Sequence, residues 1–224
     1  MRTFLGGLAL AGLLLCVPAS ADIAYTNGDV NGTINAFAIN LGFSEADSFM
    51  LSSSETLNSV SFGAWVLSGD TELTVDWAIV DDPTFCSSGI SCSPVEATGA
   101  GAALTPTFLF NNTFGYNIDT DTFSLPDVVL GSGTYWLALF NATTAVGTNP
   151  LYWDENDGPS GAWQNVNGYL TAANGNCTTG NLNGYCSESF TIFDTGSAVP
   201  EPGTLALGGF GLVLLGALRR KLKR

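Results

Sequence analysis

The stretch LTVDWAIV, at residues 73–80, has the alternating pattern of a half-buried β-strand. One face of this predicted strand carries four large apolar side chains: Leu73, Val75, Trp77 and Ile79. A Ser-Gly-Asp turn at residues 68–70 separates it from a second apolar stretch, VSFGAWVL, at residues 60–67. Two such stretches joined by a short turn predict an antiparallel hairpin.

Short apolar stretches between turn signals recur along the rest of the chain. Further strands are predicted at residues 33–39, 102–110, 119–124, 134–140, 151–153, 162–166 and 189–193. No stretch has a helical period and no βαβ rhythm is present. The expected fold is therefore all-β, an antiparallel β-sandwich or jelly-roll-like domain.

The charges are divided unevenly along the chain. All six basic residues lie at its two ends, and residues 22–199 contain no Lys, Arg or His. The same segment holds 19 of the 20 acidic residues, all except Glu201. No salt bridge between side chains can form there, and nothing there can neutralise phosphate, so a nucleic-acid partner is excluded.

The N-terminal segment has the features of a secretory signal peptide. Arg2 precedes an apolar run, and small residues follow at Ala19 and Ala21. This order predicts an N-terminal signal helix that signal peptidase removes by cleavage after Ala21. A lipoprotein signal using Cys16 is disfavoured because a large residue, Leu15, precedes the cysteine.

The C-terminal segment has the features of a short membrane anchor. Its apolar run begins at Leu205, ends at Leu218 and is followed by a basic cluster that starts with Arg219 and Arg220. A helix of 14 residues is about 21 Å long, so it needs snorkelling basic side chains to cross the inner membrane. The basic cluster is expected to stay cytoplasmic, which leaves the acidic domain outside.

The triplet Pro200, Glu201 and Pro202 stands directly before this anchor. The triplet, the Gly-rich apolar helix and the basic end together resemble the PEP-CTERM sorting signal of Gram-negative bacteria. That resemblance implies recognition by exosortase, a membrane-embedded cysteine transpeptidase, with cleavage near the triplet. It also implies export to the cell surface or extracellular matrix, commonly with exopolysaccharide. The rival interpretation is a plain tail anchor.

The body also resembles the β-rich exported domains that precede such signals, in segments such as GTYWL at 133–137 and WDEN at 153–156. The predicted organisation is a signal peptide at 1–21, a β-sandwich at 22–194, a linker at 195–199 and the sorting signal at 200–224. An exported body with an even number of cysteines favours disulfides. Local pairs are expected among Cys86, Cys92, Cys177 and Cys186, with other connectivities and a zinc site as alternatives.

The absence of His and Lys from the body excludes the usual nucleophilic mechanisms and leaves carboxylate chemistry. A pair of carboxylates at hydrolase spacing would cleave a glycoside, but the sequence does not show that any two converge. The stretch NGDVNG, at residues 27–32, resembles the first half of an EF-hand loop, although Ala38 stands where the bidentate Glu belongs. Calcium is the one cofactor considered, and its predicted ligands are Asn27, Asp29, Asn31, Asp154 and Asp157.

Five tryptophans are many for a body of this size. Trp153 and Trp163 flank the acidic loop at residues 154–158 and are the predicted glycan contacts if they are exposed. The leading hypothesis is a non-enzymatic surface or matrix protein that exosortase processes and that associates with exopolysaccharide or biofilm. A carbohydrate-binding or adhesive module is the second hypothesis, and a glycan-cleaving enzyme is the third.

Overall fold

A computed structural model describes residues 21–82, 95–166, 169–172 and 186–196, with the backbone alone at 166 and 169–172. Residues Ala21–Thr195 form one unit of internal contacts. The described strands are β1 (Asp22–Thr26), β2 (Ala36–Ala38), β3 (Phe43–Leu51), β4 (Glu55–Leu67), β5 (Glu72–Val80), β6 (Val95–Ala103), β7 (Thr105–Asn111), β8 (Tyr116–Leu130), β9 (Gly133–Thr144), β10 (Leu151–Asn156), β11 (Ala162–Val166), β12 (Tyr169–Ala172), β13 (Ser187–Glu188) and β14 (Phe190–Asp194).

These strands form two antiparallel sheets, which confirms the all-β, antiparallel prediction. The first sheet contains β1, β14, β4, β10 and β13 in that order, with β2 joined to β10 and the pair β7–β8 joined to β4. The second has the order β12-β11-β3-β9-β5-β6. None of the described residues is helical. The predicted signal helix and hydrophobic C-terminal helix lie outside the described residues.

One hydrophobic core lies between the two sheets. The first sheet contributes Phe62, Phe123 and Trp153, and the second contributes Phe49 and Trp77. Within the first sheet the rings make edge contacts, with 6.2 Å between the Phe62 and Phe123 centroids and 6.1 Å between those of Phe62 and Trp153. Trp77 joins them from the second sheet, with its centroid 6.4 Å from that of Phe123. Alternation along each strand places these large side chains on the inward face, where they are removed from water.

The predicted hairpin between residues 60–67 and 73–80 is wrong, although both strands exist. β4 pairs with β8, β10 and β14, whereas β5 pairs with β6 and β9 in the other sheet. The turn between them is present, with Gly69 at φ 92° and a hydrogen bond from Asp70 N to Leu67 O. The connection therefore crosses from one sheet to the other, because both strands are apolar enough to be central strands.

The inward face of β5 is predicted correctly for three of its four residues. Val75, Trp77 and Ile79 are buried, but Leu73 is 46% exposed. The register of β5 on β9 shifts between Glu72 and Thr74 and again between Thr74 and Asp76. A bulge of this kind turns the following side chains to the other face, so the alternation does not extend back to Leu73.

β4 is the central strand of the first sheet, and it has different partners on its two edges. β8 follows the whole of one edge, while β14 and then β10 share the other. Gly63 stands at the junction, where its N–H donates to Ser189 O at 3.1 Å. A Cβ on Gly63 would collide with the Ser189 hydroxyl and approach Asp154, so this close backbone approach requires glycine.

Candidate functional site

Two acidic side chains of β3 face the interior of the sandwich. β3 carries Glu45, Asp47, Phe49 and Leu51 at alternate positions, and all four are at most 2% exposed. Phe49 and Leu51 belong to the hydrophobic core. Because side chains alternate along a strand, Glu45 and Asp47 lie on the same inward face. The core therefore continues into a polar region at the beginning of β3.

Two further glutamates reach this region from the first sheet. Glu155 of β10 and Glu188 of β13 are paired directly across the ladder, and both are fully buried. Directly paired residues on neighbouring strands present their side chains on one face, about 5 Å apart at Cβ. We call Glu45, Glu155 and Glu188 the glutamate cluster.

Among the residues that the structure describes, the carboxylates of the glutamate cluster have no hydrogen-bond partners. Both oxygens of each of the three side chains are buried and unpartnered. Burial raises the pKa of Glu45 well above its usual range, and the charges of Asp47 and Glu155 raise it further. Burial likewise raises the pKa of Glu188, with added contributions from Glu45, Asp47 and Glu155. These mutual effects place the carboxylates close enough to repel one another.

The pKa of Glu155 is also raised, but by less than those of Glu45 and Glu188. Burial raises the pKa of Glu155 to about 7, and the charges of Asp154 and Asp157 add to the rise. The nearby side-chain amide of Asn35 opposes the rise, although it is outside hydrogen-bond geometry. In the described part of the chain, no three Asp, Glu, His or Cys side chains are placed so that they could hold a metal ion. The three glutamates are thus neighbours whose oxygens are not gathered around one point.

Asp47 lies beside the glutamate cluster and, unlike its members, is saturated with hydrogen bonds. Its Oδ2 accepts from Glu188 N at 2.6 Å and from the Asn27 amide at 2.9 Å, and its Oδ1 accepts from Ser48 N at 2.6 Å. Burial raises the pKa of Asp47 to about 7, although hydrogen bonds from Ser160, Glu188 N and Ser48 N oppose the rise. Asp47 thus holds the backbone of β13 at the N–H of Glu188.

Asp154 has its own set of donors on the opposite face of β10. Its carboxylate accepts from Asn31 N and Gly32 N, each at 2.7 Å, and from the Trp65 indole at 2.6 Å. Ser189 adds a hydroxyl donor at 3.1 Å. Burial raises the pKa of Asp154, and these donors lower it. Asp154 therefore ties the loop at residues 27–32 to the sheet.

The five predicted calcium ligands do not share one environment. Asn27 is buried against Asp47, and the Asn31 side chain accepts from Thr33 N at 3.0 Å. Asp29 and Asp157 are exposed. The structure does bring the loop at 27–32 to Asp154, but the contact is made by backbone N–H groups. Calcium binding by these five residues stays a prediction.

A second group of carboxylates lies on the other flank of β4. Glu72 of β5 joins Asp119 and Asp121 of β8, and we call these three the aspartate cluster. All three are at most 5% exposed. Burial raises the pKa of Glu72 to about 7 and that of Asp121 to about 8, and mutual repulsion adds to both shifts. Glu72 and Asp119 share a hydrogen bond, which requires one proton between the two carboxyl groups.

An aromatic pocket of about 310 Å³ opens on the outer face of the first sheet. Its lining includes Trp65, Phe114, Tyr116 and Tyr152. Phe114 is 61% exposed and stacks on Trp65 with 5.9 Å between ring centroids and 15° between planes. No charged residue lines the pocket. Flat aromatic walls of this kind suit a neutral ligand with an apolar face.

The expectation that Trp153 is exposed is wrong. Trp153 is fully buried, its Nε1 donates to Ser189 O at 2.9 Å, and its ring packs against Phe62 and Phe190. The alternation of β10 puts Leu151, Trp153 and Glu155 on the inward face, so Trp153 has no surface with which to meet a sugar. Trp163 is half-buried on β11. Its role as a glycan contact stays a prediction.

The remaining predicted site residues lie at or beyond the limits of the described residues. Ala21 is exposed and directly precedes β1. Cys186 is buried, whereas Cys86, Cys92 and Cys177 lie outside the described residues, so the pairing stays a prediction. The sorting triplet and the anchor with Leu205, Leu218, Arg219 and Arg220 also lie outside. Among the described residues, no helix has the length and apolar character needed to cross a membrane.

The sequence reasoning missed the glutamate cluster, because Glu45 lies in a strand that was not predicted and Glu188 lies in a two-residue strand. One signal was available. In FSEADSFML the positions 45, 47, 49 and 51 alternate as a strand does, with acidic residues where apolar ones are usual. A period-2 pattern that continues through carboxylates marks an inward polar site.

Residues 198–221 match the PEP-CTERM protein-sorting motif. The match confirms the suspected sorting signal and contains the triplet Pro200, Glu201 and Pro202. The motif indicates an exported protein that exosortase recognises and processes while it is anchored in the membrane. A search of curated proteins found no match to the chain.

Proposed function

We propose that this chain is a non-enzymatic structural protein of the cell surface or extracellular matrix of a Gram-negative bacterium, where it associates with exopolysaccharide. The observation that carries the proposal is the sorting motif at residues 198–221. Signal peptidase removes residues 1–21, the C-terminal segment holds the protein in the inner membrane, and exosortase then releases the sandwich.

The chemistry of the sandwich supports a role without catalysis. Its converging carboxylates lie between the two sheets, where a glycan chain has no access. In the described part of the chain, one surface pocket is lined by a single carboxylate, Asp29, and the aromatic pocket is lined by none. A glycoside hydrolase needs two carboxylates on either side of an accessible bond, and neither pocket supplies them.

The processing is tested by the intact mass of the protein recovered from its native host, under reducing and non-reducing conditions. The expected species begins at Asp22, ends near the triplet, and gains the mass of four hydrogens on reduction of two disulfides. A matched strain without exosortase is expected to retain the basic end. Recovery of a species that still carries residues 219–224 from the exosortase-containing host would contradict the proposed release.

The second candidate function is carbohydrate binding at the aromatic pocket. The observation that favours it is the exposed Phe114 ring stacked on Trp65, with Tyr116 and Tyr152 on the other walls. Aromatic faces stack on the apolar faces of sugar rings, and removal of one such ring costs about 1 kcal/mol or more of binding.

Phe114→Ala is therefore expected to weaken retention on an affinity gel of the host exopolysaccharide about tenfold. Phe108→Ala is the matched control, because Phe108 is 57% exposed but does not line the pocket. Equal retention of both variants and the unaltered protein would remove the pocket from consideration.

A further inference from the structure

The glutamate cluster contains charge that the protein itself cannot neutralise. Its three side chains are at most 1% exposed, and all six carboxylate oxygens lack a donor. A buried charge is tolerated when it is paired, hydrogen-bonded or bound to a metal. Residues 22–199 contain no Lys, Arg or His, so no pairing partner exists in the body of the chain.

Protonation solves only part of this problem. A protonated carboxyl group gains an O–H donor, and that donor also needs an acceptor when it is buried. The six oxygens are without hydrogen-bond partners, so three protonated glutamates would depend on one another alone for acceptors. A cation among the three side chains satisfies the charges and the oxygens together.

We propose that the sandwich binds one calcium ion between Glu45 of the second sheet and Glu155 and Glu188 of the first. Three carboxylates offer up to six oxygens, which is within the six to eight that calcium takes at about 2.3–2.6 Å. Magnesium retains several of its waters and needs octahedral geometry, so it suits a space closed between two sheets less well. Zinc favours nitrogen and sulfur ligands, which the cluster lacks.

The residues around the cluster are arranged to position its members. Asp47 accepts the N–H of Glu188, and the amide of Asn27 donates both to Asp47 and to the Glu188 carbonyl at 2.6 Å. These contacts hold β13, which is only two residues long, against β3. The carboxylate oxygens are not gathered around one point in this structure, so the proposed binding requires the three side chains to change rotamer. The ion then joins the two sheets.

This site is different from the calcium loop that the sequence predicts. The loop residue Asp29 is exposed and Asp154 is saturated with donors, whereas the glutamate oxygens are free. Single substitutions distinguish calcium binding at the cluster from calcium binding at the loop. Glu45→Gln and Glu188→Gln alter the cluster, Asp29→Asn alters the loop, and Glu96→Gln is the matched control at an exposed glutamate.

The test is a calorimetric titration of the full chain in detergent, freed of metal by a chelating resin, with calcium and separately with magnesium at 0.15 M salt. The unaltered protein, Asp29→Asn and Glu96→Gln are expected to bind one calcium ion with equal affinity and magnesium more weakly. Glu45→Gln and Glu188→Gln are expected to bind calcium at least about tenfold more weakly, since ligand charge sets the affinity.

Thermal unfolding in chelator shows whether the variants fold. Each glutamine variant removes one buried charge, so it is expected to melt above the unaltered protein in chelator and to gain less on calcium addition. The proposal is overturned by the absence of calcium binding at millimolar concentration. It is equally overturned if both glutamine variants bind like the unaltered protein, or if Asp29→Asn abolishes binding. Each of these failures leaves the proposed surface function intact.

Discussion

The glutamate cluster and the aspartate cluster both hold three buried carboxylates, but they differ in what those carboxylates contact. In the aspartate cluster, Glu72 and Asp119 share a hydrogen bond and therefore a proton. In the glutamate cluster, no oxygen contacts a donor. Among the described residues Asp121, like the three glutamates, has both oxygens without a hydrogen-bond partner, so the two clusters differ in the one carboxyl pair that shares a proton.

The two clusters lie on opposite edges of β4, because β10 and β8 pair with its two sides. Trp153, Phe62 and Phe123 form the aromatic layer between them, with centroids 6.1 and 6.2 Å apart. This apolar layer separates the two groups of like charge.

The largest expected effect comes from opening this layer with Trp153→Ala. The change removes a fully buried ring and the hydrogen bond from its indole to Ser189 O. A buried Trp truncated to Ala costs about 3–5 kcal/mol of unfolding free energy. Urea unfolding monitored by circular dichroism measures the loss, with the exposed Phe108→Ala as a control expected to change stability by less than about 0.5 kcal/mol. Equal stability of the two variants would contradict the role of Trp153 in this aromatic layer.

The next largest expected effect is the loss of stability when calcium is removed from the glutamate cluster. At a free calcium concentration one hundred times its Kd, binding to the folded state adds about 2.7 kcal/mol of stability. For a domain of this size that corresponds to a rise in Tm of about 5–11 °C. Differential scanning calorimetry of the unaltered protein, with calcium and with chelator, measures the difference. A Tm that does not change with chelator would show that the cluster needs no ion.

The effect that is smallest over a single pH unit concerns the aspartate cluster and is a change in pH dependence. Burial raises the pKa of Asp121 from its usual 3.8 to about 8, and Glu72 and Asp119 add to the rise. The folded protein therefore keeps a proton that the unfolded chain releases above about pH 4. The resulting stability is fully present below that pH and is lost as the pH rises through 8.

Asp121→Asn removes this titration and is expected to flatten the fall in stability by about 1.4 kcal/mol per pH unit between pH 5 and 8. The measurement is urea unfolding at several pH values in saturating calcium, so that the glutamate cluster stays constant. Glu96→Gln serves as the surface control and is expected to leave the slope unchanged. The same slope in Asp121→Asn as in the unaltered protein would show that Asp121 does not hold the proton.

The sequence could predict the fold class because β5 and β9 are apolar, strand-like stretches that follow turn signals. The pairing of β4 could not be predicted, since an apolar strand next to a short turn fits a hairpin and a sheet crossing equally well. β3 was missed because Glu45 and Asp47 interrupt its apolar face. Trp153 was assigned to the surface because it adjoins an acidic loop, yet its position in β10 places it in the core.

The candidate site was harder to predict than the fold for a related reason. Glu45, Glu155 and Glu188 are far apart in the sequence and meet only through the pairing of β10 with β13 and the packing of β3 against them. The sorting motif is different, because its residues are contiguous and need no tertiary structure to be recognised. The contiguous sorting motif could therefore be predicted from the sequence, whereas a site built from three strands could not.

The most direct test of the account is the number of calcium ions bound per chain, measured by equilibrium dialysis with radioactive calcium at 0.15 M salt. The comparison is between the unaltered full chain and the double variant Glu45→Gln/Glu188→Gln. The unaltered chain is expected to bind one more ion than the double variant. The same number of ions on both proteins would contradict the account.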